Sequence, residues 1–247
     1  MKAVLIAAWF VHNLATGADE TPPTPPEVPS FLYAPSYELW NSRQGKVESY
    51  VPQPGDIMLA TDSNVFWKIT HDLAFAGEPH GSGIVVARPD GSLGILEAGP
   101  NDTLWVGISD MLPHLKEYDD KGPVFIRKRK TPLTKEQSEH LTEFAMRQQG
   151  KRFALIRLGA QLTLLRNRGP LRTYFMGKPN GDRVSYFCSE LVTESLVAGD
   201  MIDREIARPS ATYPHDLFYD QSYNVWINTH YRLQDHWFPP ARWTYKP

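Results

Sequence analysis

The chain has 247 residues, 41% hydrophobic and 22% charged, an ordinary globular composition that allows one large domain or two small ones. A formal net charge of −2 provides no overall field for nucleic acid or an anionic surface. A single cysteine excludes an internal disulfide and a multi-cysteine metal site, and no GxxxxGK[ST] phosphate loop occurs.

In chain order, Lys2, the apolar run Ala3 to Val11 and the small residues Ala15-Thr16-Gly17-Ala18 read as an export signal over residues 1–18. Nine apolar residues are too few to span a bilayer, so no integral membrane span is expected. Export predicts a periplasmic, cell-envelope or secreted protein. Residues 19–50 read as a proline-rich spacer, with five prolines between Glu20 and Pro29. The domain proper is expected over 51–247.

Pro54-Gly55-Asp56 is a turn signal, and Ile57 to Ala60 is a short apolar strand. Asp62 or Ser63 caps a predicted helix carrying Phe66, Ile69, Leu73 and Ala74 and ending at Gly77. His80-Gly81-Ser82-Gly83 leads into a buried-type strand, Ile84 to Ala87. Pro89-Asp90-Gly91 turns the chain back, and Leu93 to Ala98 forms the second arm of a hairpin, with Glu97 in an otherwise apolar strand. Val124-Phe125-Ile126 opens a further strand, and the run Arg127 to Lys130 reads as a solvated edge. Thr134 to Gln137 is a capping box before a helix with Leu141, Phe144, Ala145 and Gln148 on one face and Gly150 behind it. Residues 151–185 read as a long irregular, substrate-facing segment. The Trp- and Tyr-rich tail from Asn224 to Tyr245 reads as packing.

The only cysteine lies in Tyr186-Phe187-Cys188-Ser189-Glu190-Leu191-Val192. Apolar residues at Leu191, Val192, Leu196 and Val197, with Gly199 behind them, have helical spacing, so Cys188 falls at a helix start. Unpaired amides and the helix dipole favour an anion there, which points to a nucleophilic thiolate. The competing reading is a small buried hydrophobe. A thiol nucleophile needs a histidine in reach and a group that orients it. Of eight histidines, His80 stands at the mouth of a buried strand beside glycines and is the base candidate. His71 and His140 read as helix residues, and His114 and His215 as loop residues. Glu97 is the orienter candidate. A simple hairpin about Asp90-Gly91 sets it opposite Ile84, about 13 Å along the strand from His80, so a bulge or register shift is required, and Asn101 or Asp102 would lie nearer. HExxH and GxSxG are both absent, which disfavours metal and serine hydrolysis. No metal and no cofactor are called for.

Pro54-Gly55-Asp56-Ile57, His80-Gly81-Ser82-Gly83-Ile84-Val85, Leu96-Glu97-Ala98, Gly150-Lys151-Arg152-Phe153 and Tyr186 to Leu191 together resemble the circularly permuted NlpC-type, papain-like cysteine amidases of the YiiX/YaeF kind. The order is telling, because the histidine strand precedes the cysteine helix. The likeness covers about residues 51–220 and departs at the histidine, since the family reads His-x-Gly-Ile and two residues separate His80 from Gly83. It implies an α+β fold with a small antiparallel sheet packed on the cysteine helix, Cys188 as nucleophile, His80 as base and Glu97 as third member. It leaves the substrate open among peptidoglycan peptides and lipid or other amide and ester bonds, and the export signal and proline spacer put peptidoglycan stem peptides first, with N-acyl amides beside them. A thiol acyltransferase or lipid amidase on the same fold and a non-catalytic binding module are the alternatives.

Overall fold

A computed structural model of the chain describes residues 30–35, 45–61, 77–160, 163–166, 168–222, 224–226 and 231–246. The export signal, the helix expected over 62–76 and His71 lie outside the described residues.

Runs of β-branched and aromatic residues bounded by turn signals become strands, as their packing on a pleated surface favours. They are β1 (Phe31–Ala34), β2 (Lys46–Ser49), β3 (Ile57–Ala60), β4 (Gly81–Ala87), β5 (Leu93–Ala98), β6 (Val106–Asp110), β7 (Val124–Arg127), β8 (Arg152–Phe153), β9 (Ser185–Tyr186) and β10 (Ala241–Thr244). Eight of them form one sheet in the order β2-β1-β10-β7-β3-β4-β5-β6, antiparallel throughout. β8 and β9 pair separately, in parallel. The fold is therefore α+β with an antiparallel sheet, as expected, but the sheet is large rather than small. It gains strands from two unexpected places. β1 and β2 lie in the stretch read as spacer, where Phe31-Leu32-Tyr33-Ala34, between Pro29 and Pro35, contains no proline and is free to pair. β10 comes from the aromatic tail and inserts between β1 and β7.

Helices cover both faces of the sheet. α1 (Met111–Lys121) lies on one face with Met58, Val85, Ile95 and Trp243. α2 (Lys135–Gln148) and α4 (Cys188–Ala198) lie on the other with Ile57, Ile84, Leu96 and Phe125. Two short helices, α3 (Leu155–Gly159) and α5 (Pro214–Tyr219), flank α4 in sequence. Alternation along β4 sorts its residues strictly, with Ile84 and Val86 toward α4 and Val85 toward α1. α2 begins at the expected capping box, in which Thr134 Oγ1 accepts from the Gln137 amide at 3.2 Å, and it buries the four expected residues. Leu191, Val192 and Leu196 of α4 are completely buried, each worth about 1.5–3 kcal/mol relative to exposure.

The basic run is not a solvated edge. Arg127 and Arg129 are buried, because β7 continues through Arg127 and alternate side chains turn inward. Arg127 Nη1 donates to the carbonyl of Leu217 at 3.0 Å and, near the end of α5, to that of Phe218 at 3.4 Å. Arg129 stacks over Trp237 at 4.7 Å. In the tail, Tyr231, Trp237 and Trp243 are buried, which is the packing role anticipated for it.

Candidate active site

β3, β4 and β5 bring the candidate residues to one end of the sheet, and α4 meets them there. Asp56 stands at the other end of β3, since Ile57 pairs with Ile84 and Ala60 with Gly81, and it braces the sheet there. Its carboxylate accepts from the Arg129 amide at 2.7 Å, the Tyr50 hydroxyl at 2.9 Å and the Gln53 amide at 3.1 Å, tying the approach to β3 to β7. Burial pushes its pKa up to about 6, against the pull of those hydrogen bonds.

Cys188 is the first residue of α4, as read from the sequence. Phe187 at the N-cap offers no side-chain cap, and its own amide donates to Glu190 Oε2 at 3.2 Å. Of the first-turn amides, that of Ser189 interacts with the sulfur. Cys188 is half-buried, and its Sγ donates weakly to the main-chain carbonyl of His80 at 3.7 Å. The thiolate expected from the helix terminus is not the resting form. Burial, first, and the Glu97 charge push the thiol up to about 11, while the Ser82 hydroxyl and the amides of Ser82 and Ser189 pull the other way. Desolvation outweighs a helix dipole acting through a single turn.

His80 is buried, and its amide donates to Ala60 O at 3.0 Å, continuing the β3–β4 ladder one residue beyond β4. Two residues before Ser82 and four before Ile84, it shares their parity and so the α4 face. Glu97 lies opposite Gly83, one residue from the expected register, and faces α1. There it accepts from Tyr118 Oη at 3.0 Å and meets His114 Nε2 at 2.8 Å. The imidazole that meets the Glu97 carboxylate at this distance is that of His114, a residue not assigned to the site from the sequence. An ideal Cβ on Gly81 would lie 3.7 Å from Glu97 Oε1, so the carboxylate sits beside the strand entry even though it faces the other side. The main-chain amide of Asn101 interacts with the Tyr118 hydroxyl, whose pKa burial and Glu97 hold well above its ordinary value. Asn101 itself is exposed in a short turn, with φ of 52°, and the Asp102 side chain lies outside the described residues.

His114 and Tyr118 were not singled out from the sequence. Pro113 just before His114 suggested a loop, yet a proline in the first turn of a helix is tolerated, since that N–H has no intrahelical partner. The available signal was the i, i+4 spacing of His114 and Tyr118, which puts both on the buried face of α1, where their rings pack edge-on at 4.8 Å. His215 likewise lies in a helix, α5, and is buried.

Charge of both signs surrounds the far side of the cysteine. Glu190, buried on α4, receives Arg157 Nη1 at 2.8 Å and a second bond from Arg157 Nη2, with Arg183 Nε at 3.5 Å. The Arg157 guanidinium also stacks on Phe187 at 4.8 Å, so α3 is locked beside the start of the cysteine helix.

No protein-family model matches the chain, and no curated protein matches it. Among solved structures it is similar to the metalloprotein yiiX from Escherichia coli O157:H7, at 19% identity over 72% of this chain and 87% of that one, with a TM-score of 0.43. Among the described residues of this chain, no group of three or more His, Cys, Asp or Glu side chains is disposed to hold a metal ion.

Proposed function

We propose that the chain is an exported thiol hydrolase of amide bonds, built on a permuted papain-like arrangement in which the histidine strand precedes the cysteine helix. The observation that carries this reading is the seat of Cys188. It is the first residue of a buried helix with uncapped amides, and its sulfur lies against the entry of β4. In this reading the thiol rests protonated. As a substrate carbonyl approaches, the sulfhydryl proton moves to the His80 imidazole and the sulfur attacks the carbonyl carbon. Amides at the start of α4 hold the oxyanion, and His80 returns the proton to the leaving amine. Water then cleaves the thioester, releasing the acid and restoring the thiol.

In the family pattern His-x-Gly-Ile, counting back from Gly83 puts the histidine at position 81. A side chain there would meet Glu97 directly, as the 3.7 Å approach to an ideal Cβ indicates. Here residue 81 is glycine and the histidine comes one residue earlier, and in this reading strand alternation gives His80 the side of the sheet on which α4 lies. Glu97 then turns to His114 and Tyr118 and acts on the sulfur through its charge.

Peptidoglycan stem peptides are the first substrate proposed and N-acyl amides the second. The test is hydrolysis of purified muropeptides and of N-acyl amides by the wild type and by Cys188→Ala, His80→Ala and His114→Ala. Cys188→Ala should abolish turnover, and His80→Ala should lower it about 100- to 10,000-fold. Retained turnover in Cys188→Ala would overturn the hydrolase reading. Loss in His114→Ala with full activity in His80→Ala would overturn the choice of base.

A further inference from the structure

The helical turn Leu171–Met176, within the stretch 151–185, is built inside out. There Arg172 and Thr173 are buried, while Tyr174, Phe175 and Met176 are exposed. Phe175 is 78% exposed, Leu164 82% and Ile156 95%. The polar side chains turned inward hold this shape. Arg172 Nε donates to Leu165 O at 3.0 Å, Asn224 Nδ2 donates to Thr173 Oγ1 at 2.9 Å, and Ser210 Oγ donates to Met176 O at 3.4 Å. A water-facing turn gains nothing by this inversion, since soluble proteins rarely gather exposed apolar groups without a partner.

Charge supplies the second observation. Residues 151–185 hold eight of the chain's 26 Lys and Arg but only one, Asp182, of its 28 Asp and Glu. Lys151, Arg157, Arg168 and Arg183 pair with Asp182, Glu190, Asp216 and Glu194, and Arg172 is buried, which leaves Arg152, Arg166 and Lys178 as the exposed cations of the stretch. Exposed apolar side chains among exposed cations such as Arg166 and Lys178 are the combination that an anionic lipid surface takes up, the apolar groups entering the headgroup layer and the cations pairing with phosphate. α3 carries Ile156, and Arg157 next to it donates to Ser185 O at 2.8 Å and stacks on Phe187, so Ile156 lies on an element that borders the start of the cysteine helix.

We propose that Ile156, Leu164 and Tyr174–Met176, with Arg166 and Lys178, form a docking surface for an anionic lipid bilayer, which brings the mouth of the Cys188 site to the membrane plane. This goes beyond the hydrolase reading and does not depend on it.

The test is cosedimentation of full-length Cys188→Ala protein with vesicles of phosphatidylglycerol and phosphatidylcholine, or of phosphatidylcholine alone. Binding to the anionic vesicles should be at least tenfold tighter and should weaken as salt rises. Leu164→Ser with Phe175→Ser, and separately Arg166→Glu with Lys178→Glu, should each lower it about tenfold with an unchanged melting temperature, because these side chains are exposed. Failure to sediment with anionic vesicles, or equal binding by either double variant, would overturn the proposal. Because Cys188→Ala is inert under the hydrolase reading, failure here leaves that reading standing, and loss of that reading leaves this one standing.

Discussion

Alkylation of Cys188 by iodoacetamide across pH tests the electrostatics of the site directly. Only the thiolate reacts. An unperturbed cysteine, with a pKa of about 8.5, is about 3% thiolate at pH 7. With the thiol pushed up to about 11, the fraction at pH 7 falls to about one in ten thousand, roughly 300-fold lower. Steric shielding also slows a half-buried thiol, so the informative quantity is the shape of the profile. The rate should rise about tenfold per pH unit through pH 9 and bend only near 11. Glu97→Gln keeps a side chain that can bond His114 and removes the charge that pushes the thiol up. Its profile should bend at lower pH, so alkylation at pH 8 should be several-fold faster than in the wild type, while His80→Ala should leave the resting profile close to that of the wild type. Rapid labelling that is already level at pH 6 would refute this account and would mean that a preformed ion pair exists.

Gly83→Ala should cost about 1–3 kcal/mol in denaturant unfolding, because its Cβ would come within 2.7 Å of Ile95 Cγ2, whereas Gly81→Ala meets only ordinary contacts from 3.6 Å and should be nearly neutral. Arg157→Ala should destabilise by about 3 kcal/mol by leaving the buried Glu190 carboxylate poorly compensated, and adding Glu190→Gln should recover part of that loss. Asp56 has its folded pKa raised to about 6, so the stability that it contributes is fully present below about pH 4 and is lost as pH rises through 6. Unfolding of the wild type relative to Asp56→Asn should therefore lose roughly 3 kcal/mol over that window, and a gain with rising pH would show that the hydrogen bonds to the carboxylate outweigh its burial.

Local signals were legible where short-range physics decides the outcome. The capping box at Thr134, the hairpin about Asp90-Gly91 and the helix start at Cys188 all stand where spacing put them. The strand pairings were less legible, because a four-residue strand is stabilised by neighbours that arrive from far away. Phe31–Ala34 becomes a strand between β2 and a segment more than two hundred residues later. The one-residue difference in register at Glu97 has the same origin, since it follows from ladder pairing on both sides of β4 and not from the turn alone. His114 was hidden by Pro113, a residue that breaks helices in their interior but is harmless near their beginning. The state of the thiol could not be read either, because desolvation depends on the assembled surroundings.

The insertion of Ala241–Thr244 between Phe31–Ala34 and Val124–Arg127 has a consequence for biogenesis. The strand is synthesised after both of its partners, and until it arrives two neighbouring edges with open hydrogen-bonding groups face one another across a gap. A polypeptide stopped short of residue 241 would present both edges to other molecules. Nonsense changes or proteolytic trimming that remove Ala241–Thr244 should accordingly yield aggregates in place of a shortened, working protein.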